Sequence, residues 1–156
     1  MVSIRKAMRE DAQAIIELRN RAIIDQCSAH YLPQQLSLWT EGGMSERFLI
    51  DVEENFHVSE KNQQIVGSGK LNMQTGMVDA IFVDPDYLRQ GVATCMLAHL
   101  QKLAHEHCLT QLHLEATLNA AAFYRTCGFV GDIISTYYSP RGISLDCVPM
   151  RKSLQA

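Results

Sequence analysis

Apolar and polar residues alternate from Val2 to Lys6, the two-residue period of a short strand. The period then lengthens. Ala12, Ile15, Ile16, Arg19 and Ile23 follow Asp11 at helical spacing, and Asp11 is expected to cap that helix. Pro33 suits the first turn of a second helix, Gln34 to Trp39, which Gly42-Gly43 stops. Ser45 is expected to cap a third helical stretch through Phe48, Leu49 and Val52. Strand patterning returns in Phe56 to Glu60 and Gln64 to Gln74, a hairpin around Lys61-Asn62-Gln63. Thr75-Gly76 turns into a further strand, Met77 to Val83, which Asp84-Pro85 ends. The clearest helix, Val92 to His107, sets Met96, Leu97, Leu100, Leu103 and Ala104 on one face. Leu112, His113 and Leu114 form the next strand, and Ala120 to Cys127 a short helix ended by Gly128. Phe129 to Tyr138 and Ile143 to Met150 read as a last hairpin around Ser139-Pro140-Arg141-Gly142. The order predicts a single α+β domain, 1–156, around a central, mostly antiparallel sheet.

Composition narrows the class. In 156 residues, 47% are apolar and 20% charged, which predicts a folded chain with a real core. A net charge of −3 argues against a general grip on DNA or RNA, which needs a basic face. The five cysteines are odd in number, widely spaced and without a C-x-x-C pair, so reduced thiols in a cytoplasmic protein are expected. The first residues lack an apolar signal core, and no apolar run reaches the roughly 18 residues of a membrane span.

The stretch D-Y-L-R-Q-G-V-A-T-C-M-L, residues 86–97, carries the first chemistry. A helix entrance offers unpaired N–H groups and partial positive charge to an anion. Gly91 and Ala93 let a ligand approach the backbone, and Arg89 adds a charge-assisted contact. Neither G-x-x-x-x-G-K-[ST] nor G-x-G-x-x-G is present. On these residues alone, a phosphate cradle and a plain strand-to-helix turn both remain open.

With A-A-A-F-Y-R-T-C-G-F some thirty residues further on, this stretch resembles the GNAT family of acetyl-CoA-dependent N-acetyltransferases. The family turn is [QR]-x-x-G-x-[GA], and the later pattern ends in an aromatic pair, three residues and Gly-Phe. The element order fits the family over nearly the whole chain. Leu88 departs from the usual Gln or Arg at the first turn position. The resemblance implies a GNAT fold whose sheet splays between Met77–Val83 and Gln111–Ala116. It implies that Arg89, Gln90, Gly91, Val92, Ala93 and Thr94 hold the coenzyme A pyrophosphate. The pantetheine arm would pair with backbone around Phe82 and Val83, and an N–H near Ile81 would polarise the thioester carbonyl.

Acetyl transfer to an amine of pKa ~10.4 needs a proton acceptor for the amine and an acid for the departing thiolate. Tyr124 occupies the family's tyrosine position and is the expected acid; a ring packed on the next strand is the alternative. The acceptor of the amine proton stays open between Asp79, Glu115 and a water chain. His30, Tyr31 and Trp39 lie in H-Y-L-P-Q-Q-L-S-L-W, similar to a segment of some small bacterial GNAT proteins where early helices help form the acceptor pocket. Trp39 also suits the core, and Tyr137 and Tyr138 suit the opposite wall. His105 and His107 point about 200° apart on a helix and cannot share an ion, so no metal is expected. Cys127 has no base beside it and reads as a small core residue.

The expected activity is therefore acetyl transfer from acetyl-CoA to a primary amine of a small molecule or protein by direct attack in a ternary complex. A silent acyl-CoA-binding module and a toxin-like aminoacyl-tRNA acetyltransferase are the alternatives. Expected partners are the amine alone, with no nucleic acid and no membrane. A monomer and a homodimer both remain open.

Overall fold

The computed structural model describes residues 2–139 and 142–154. Strand β1 is Ser3–Lys6, followed by helices α1 (Ala12–Cys27), α2 (Pro33–Thr40) and α3 (Glu46–Asn55). Strands β2 (Phe56–Lys61), β3 (Gln64–Leu71) and β4 (Val78–Val83) come next, then α4 (Val92–Glu106). The chain closes with β5 (Gln111–Thr117), α5 (Ala121–Thr126), β6 (Ser135–Tyr138) and β7 (Ser144–Ser153). The α+β expectation holds.

The strands divide into an antiparallel sheet ordered β1-β2-β3-β4 and a second ordered β5-β7-β6. Between them, β4 and β5 touch only at one end. Met77 forms a single parallel bridge with His113, and the His113 N–H donates to the Gly76 carbonyl at 3.1 Å. Beyond that bridge the two strands diverge, which is the splay the resemblance implied.

Helix α4 sits against this frame with Met96, Leu97 and Leu100 buried among Leu71, Leu112 and Leu114. Two glycines in β3 make the close approach possible. A Cβ on Gly69 would lie 2.6 Å from Met96 Cγ, and one on Gly67 would lie 2.8 Å from Val92 Cγ1. Ser45 caps α3 as expected, its Oγ accepting the Phe48 N–H at 3.1 Å.

Three local expectations are corrected. Asp11 does not cap α1: its carboxylate accepts from Arg5 (2.8 and 2.9 Å) and from the Met8 N–H at 2.7 Å. The β3 strand stops at Leu71 instead of Gln74, because the Asn72 side chain accepts from Gln74 and Thr75 N–H groups and folds a turn there. Phe129 to Tyr138 is not one strand: Val130 forms an isolated bridge with Arg151 and regular pairing begins at Ser135. In the last hairpin β7 inserts between β5 and β6; Pro140 and Arg141 of its turn lie outside the described residues.

Candidate active site

Two cavities open along the splay. The first, about 310 Å³, is lined by Val83, Leu88, Arg89, Gly91, Thr94 and Asn119 among others. Gly91 is the N-cap of α4 at φ +79°, and no side chain caps the helix there. A Cβ at Gly91 would meet nothing within 4 Å, so the position needs glycine for its left-handed backbone. Arg89, also left-handed at φ +60°, stands at the same mouth. The turn is fixed from behind by Asp84, only 2% exposed. Its carboxylate accepts both Arg21 Nη atoms (2.9 and 3.0 Å) and the Asp86 N–H at 2.9 Å. An uncapped fifteen-residue helix, an arginine at its mouth and a channel leading inward fit the phosphates and arm of coenzyme A.

The second cavity, about 420 Å³, lies further into the splay. Ile81, Ala120 and Tyr124 line both cavities and mark where they meet. There β4 carries a bulge: Phe82 pairs with Ser68 and Asp79 with Lys70, so Ala80 and Ile81 face the single residue Gly69. Ala80 is left-handed at φ +53°. Its N–H donates to Asp79 Oδ1 at 2.8 Å and its carbonyl accepts from Ser68 Oγ at 2.8 Å. Asp79 thus helps shape the bulge as well as lining the second cavity.

Tyr124 is 8% exposed and packs edge-on against Phe123 and Phe129. Burial pushes its phenol well above the ordinary value, and the nearby Asp79 and Cys127 add to the rise.

A family model described as "Acetyltransferase (GNAT) domain" matches residues 27–154. The chain belongs to the GNAT family. The uncharacterized N-acetyltransferase YafP of Escherichia coli K12 is 31% identical over 128 residues, 82% of this chain and 81% of that protein. Two solved structures share the GNAT fold. A GCN5-related N-acetyltransferase from Rhodopseudomonas palustris superposes with a TM-score of 0.88 at 24% identity, covering 97% of this chain and 95% of that one. The PaiA N-acetyltransferase from Thermoplasma acidophilum, solved in complex with coenzyme A, gives 0.72 at 14% identity, covering 98% and 99%.

Within this GNAT frame, Arg89, Gly91, Val92, Ala93 and Thr94 all line the first cavity. Gln90 does not; its Oε1 accepts from Nζ of Lys61, the last residue of β2, at 3.0 Å. Leu88, the departure from the family turn, lines the cleft itself. The register of β4 decides which backbone groups face the cleft. The Asp84 N–H donates to the Val66 carbonyl at 2.9 Å, and Val83 is opposite Gly67. Hydrogen-bonded and non-bonded pairs alternate in an antiparallel ladder, so Val83 turns its N–H and C=O toward the cleft. Phe82 is a bonded partner of Ser68 and lines the second cavity instead.

Asp79 and Glu115 line the second cavity from opposite strands. Glu115 Oε2 accepts from the Cys147 thiol at 3.6 Å; burial, with Glu115 next, pushes that thiol up to about 11. Tyr31 and Trp39 also line this cavity, in edge contact at 5.7 Å between centroids. The Tyr31 hydroxyl donates to the Asp146 carbonyl at 2.6 Å and accepts the Leu118 N–H at 3.1 Å, so only its ring faces a ligand. His30 is exposed and lines neither cavity, whereas Tyr137 lines the second and Tyr138 is 74% exposed away from it.

Sequence reasoning missed Arg19, Asp146, Gln26 and Asn119, all of which line one cavity or the other. Asn119, between a strand and the aromatic helix, carried a readable signal; Arg19 and Gln26 sit at unremarkable helical positions. Among the described residues, no group of three or more His, Cys, Asp or Glu is placed to hold a metal ion. No helix among them is long and apolar enough to cross a membrane.

Proposed function

We propose that this GNAT domain transfers the acetyl group of acetyl-CoA to the primary amine of a small cationic molecule by direct attack in a ternary complex. One observation carries the reading: a phosphate-type cleft and an acceptor-sized cavity meet at a buried tyrosine. Acetyl-CoA, when bound, supplies an activated acyl group. The N–H groups that open α4, with Arg89, hold the pyrophosphate, and the outward backbone of Val83 orients the arm. The Ile81 N–H polarises the acyl carbonyl. Tyr124 Oη gives its proton to the departing sulfur. Its raised pKa keeps that proton in place until it is needed. Asp79 or Glu115 takes the proton from the amine. Both lie in the wall of the cavity on either side of the splay.

The wall charge supports a cationic acceptor. Three carboxylates (Asp79, Glu115 and Asp146) face one arginine, Arg19, and Tyr31, Trp39 and Phe82 offer aromatic faces to a cation and its apolar body. The test is thiol release from acetyl-CoA with a panel of amines, amino acids and peptides. Small cationic amines are expected to turn over best. A preference for peptides or for acidic amines would reject this acceptor class, and binding without turnover of any amine would leave a silent coenzyme A module.

A further inference from the structure

The last turn of α1 reaches both lips of the splay with consecutive residues. Gln26 Nε2 donates to the Val83 carbonyl on β4 at 3.3 Å. Cys27 Sγ donates to Asn119 Oδ1, in the loop after β5, at 3.4 Å. Gln26, Val83 and Asn119 all line the 310 Å³ cavity. The Val83 carbonyl faces this cleft because its ladder position leaves it unbonded to β3. The Gln26 amide therefore meets β4 as a neighbouring strand would, through an amide N–H on an outward carbonyl.

We propose that Gln26 is a gatekeeper of the cofactor channel: its side-chain amide competes with the arm of coenzyme A for the Val83 carbonyl, and binding exchanges one hydrogen bond for the other. This rests on the reading that the arm pairs with β4 along the splay. Glutamine suits the task chemically. Its primary amide and the secondary amides of the arm are equivalent donors, so the carbonyl stays satisfied on either side of the exchange. The movement required is small. Cys27, buried and bonded to Asn119, anchors the backbone next door, while Gln26 is only half-buried and can swing about its own side-chain torsions.

Gln26→Met keeps the length of the side chain and removes the donor; Gln26→Ala is the second variant. Calorimetry would compare coenzyme A with 3′-phospho-ADP, which has the phosphates and lacks the arm. Both variants are expected to bind coenzyme A about 3–10-fold more tightly than the parent, the worth of one neutral hydrogen bond no longer contested. Affinity for 3′-phospho-ADP should not change. Equal or weaker coenzyme A binding by the variants would overturn the gatekeeper role while leaving the cofactor reading intact, as would a parallel change for both ligands. Failure of coenzyme A to bind any of the three proteins would overturn the cofactor reading, and the gatekeeper with it.

Discussion

Tyr124 combines core packing with the proton transfer proposed for it. Its ring is fixed by Phe123 and Phe129, with centroids 5.2 and 5.7 Å away, so its hydroxyl is aimed by core packing. Burial raises its pKa, so at neutral pH the group is a proton donor and not a nucleophile. Tyr124→Phe keeps that packing and deletes the donor. The expected result is a kcat lower by roughly 10²–10⁴-fold with coenzyme A affinity little changed; unaltered turnover of a verified amine would remove Tyr124 from the chemistry. Asp79 makes the complementary case. Asp79→Asn keeps the shape that bonds Ala80 N–H and removes the charge from the wall of the second cavity, the proposed acceptor site. Acceptor KM is expected to rise, or kcat to fall, more for cationic amines than for neutral ones, with acetyl-CoA affinity intact. A variant that treats every amine as the parent does would make Asp79 a residue of the bulge alone.

At the scale of elements, α4 and the turn before it were the most legible part of the chain. The apolar spacing of Met96, Leu97 and Leu100 gave the helix, and Gly91 marked its start. Gly91→Glu should both strain the left-handed position and set a negative charge at the proposed phosphate site. Coenzyme A at ~100 times its dissociation constant should stabilise the parent by roughly 2.7 kcal/mol, and the thermal shift should vanish in the variant. An undiminished shift would move the phosphates elsewhere. The β4 bulge was not legible, because V-D-A-I-F-V reads as a plain buried strand and nothing in an alanine announces φ +53°. The bulge depends on Ser68 and Asp79 meeting Ala80 from two strands, a tertiary arrangement that no local pattern contains. Gln26 was hidden for the same reason. Its partner, Val83, is 57 residues away in sequence. His30 misled in the opposite direction: a promising segment placed it beside Tyr31, but the helical turn there directs it outward.

Across the whole molecule, the site is only as firm as the packing of α4 on the four-stranded sheet, and a histidine pair sits in that seam. His57 Nδ1 on β2 and His99 Nε2 on α4 are 3.3 Å apart, a distance that suits one shared proton between neutral rings. Burial lowers the pKa of His57 to about 4, with the charges of His99 and Lys6 reinforcing it. Burial and then Lys102 lower that of His99, against an opposing pull from Glu106. A histidine in the unfolded chain titrates near 6.5, so between pH 6.5 and 4 the unfolded state binds more protons than the folded one. Stability is therefore complete above that window and is lost as the pH falls through it. His57 keeps part of its surface in solvent, and screening holds the loss to about 1 kcal/mol by pH 5, or a few degrees in Tm. His57→Gln removes the titration while retaining an amide able to face His99. Carboxylates elsewhere also contribute to acid unfolding, so the informative quantity is the difference between parent and variant. The parent is expected to lose more Tm than His57→Gln between pH 7.5 and pH 5. Parallel curves for the two proteins would show that the pair titrates normally in the fold and that the seam carries no proton-linked stability.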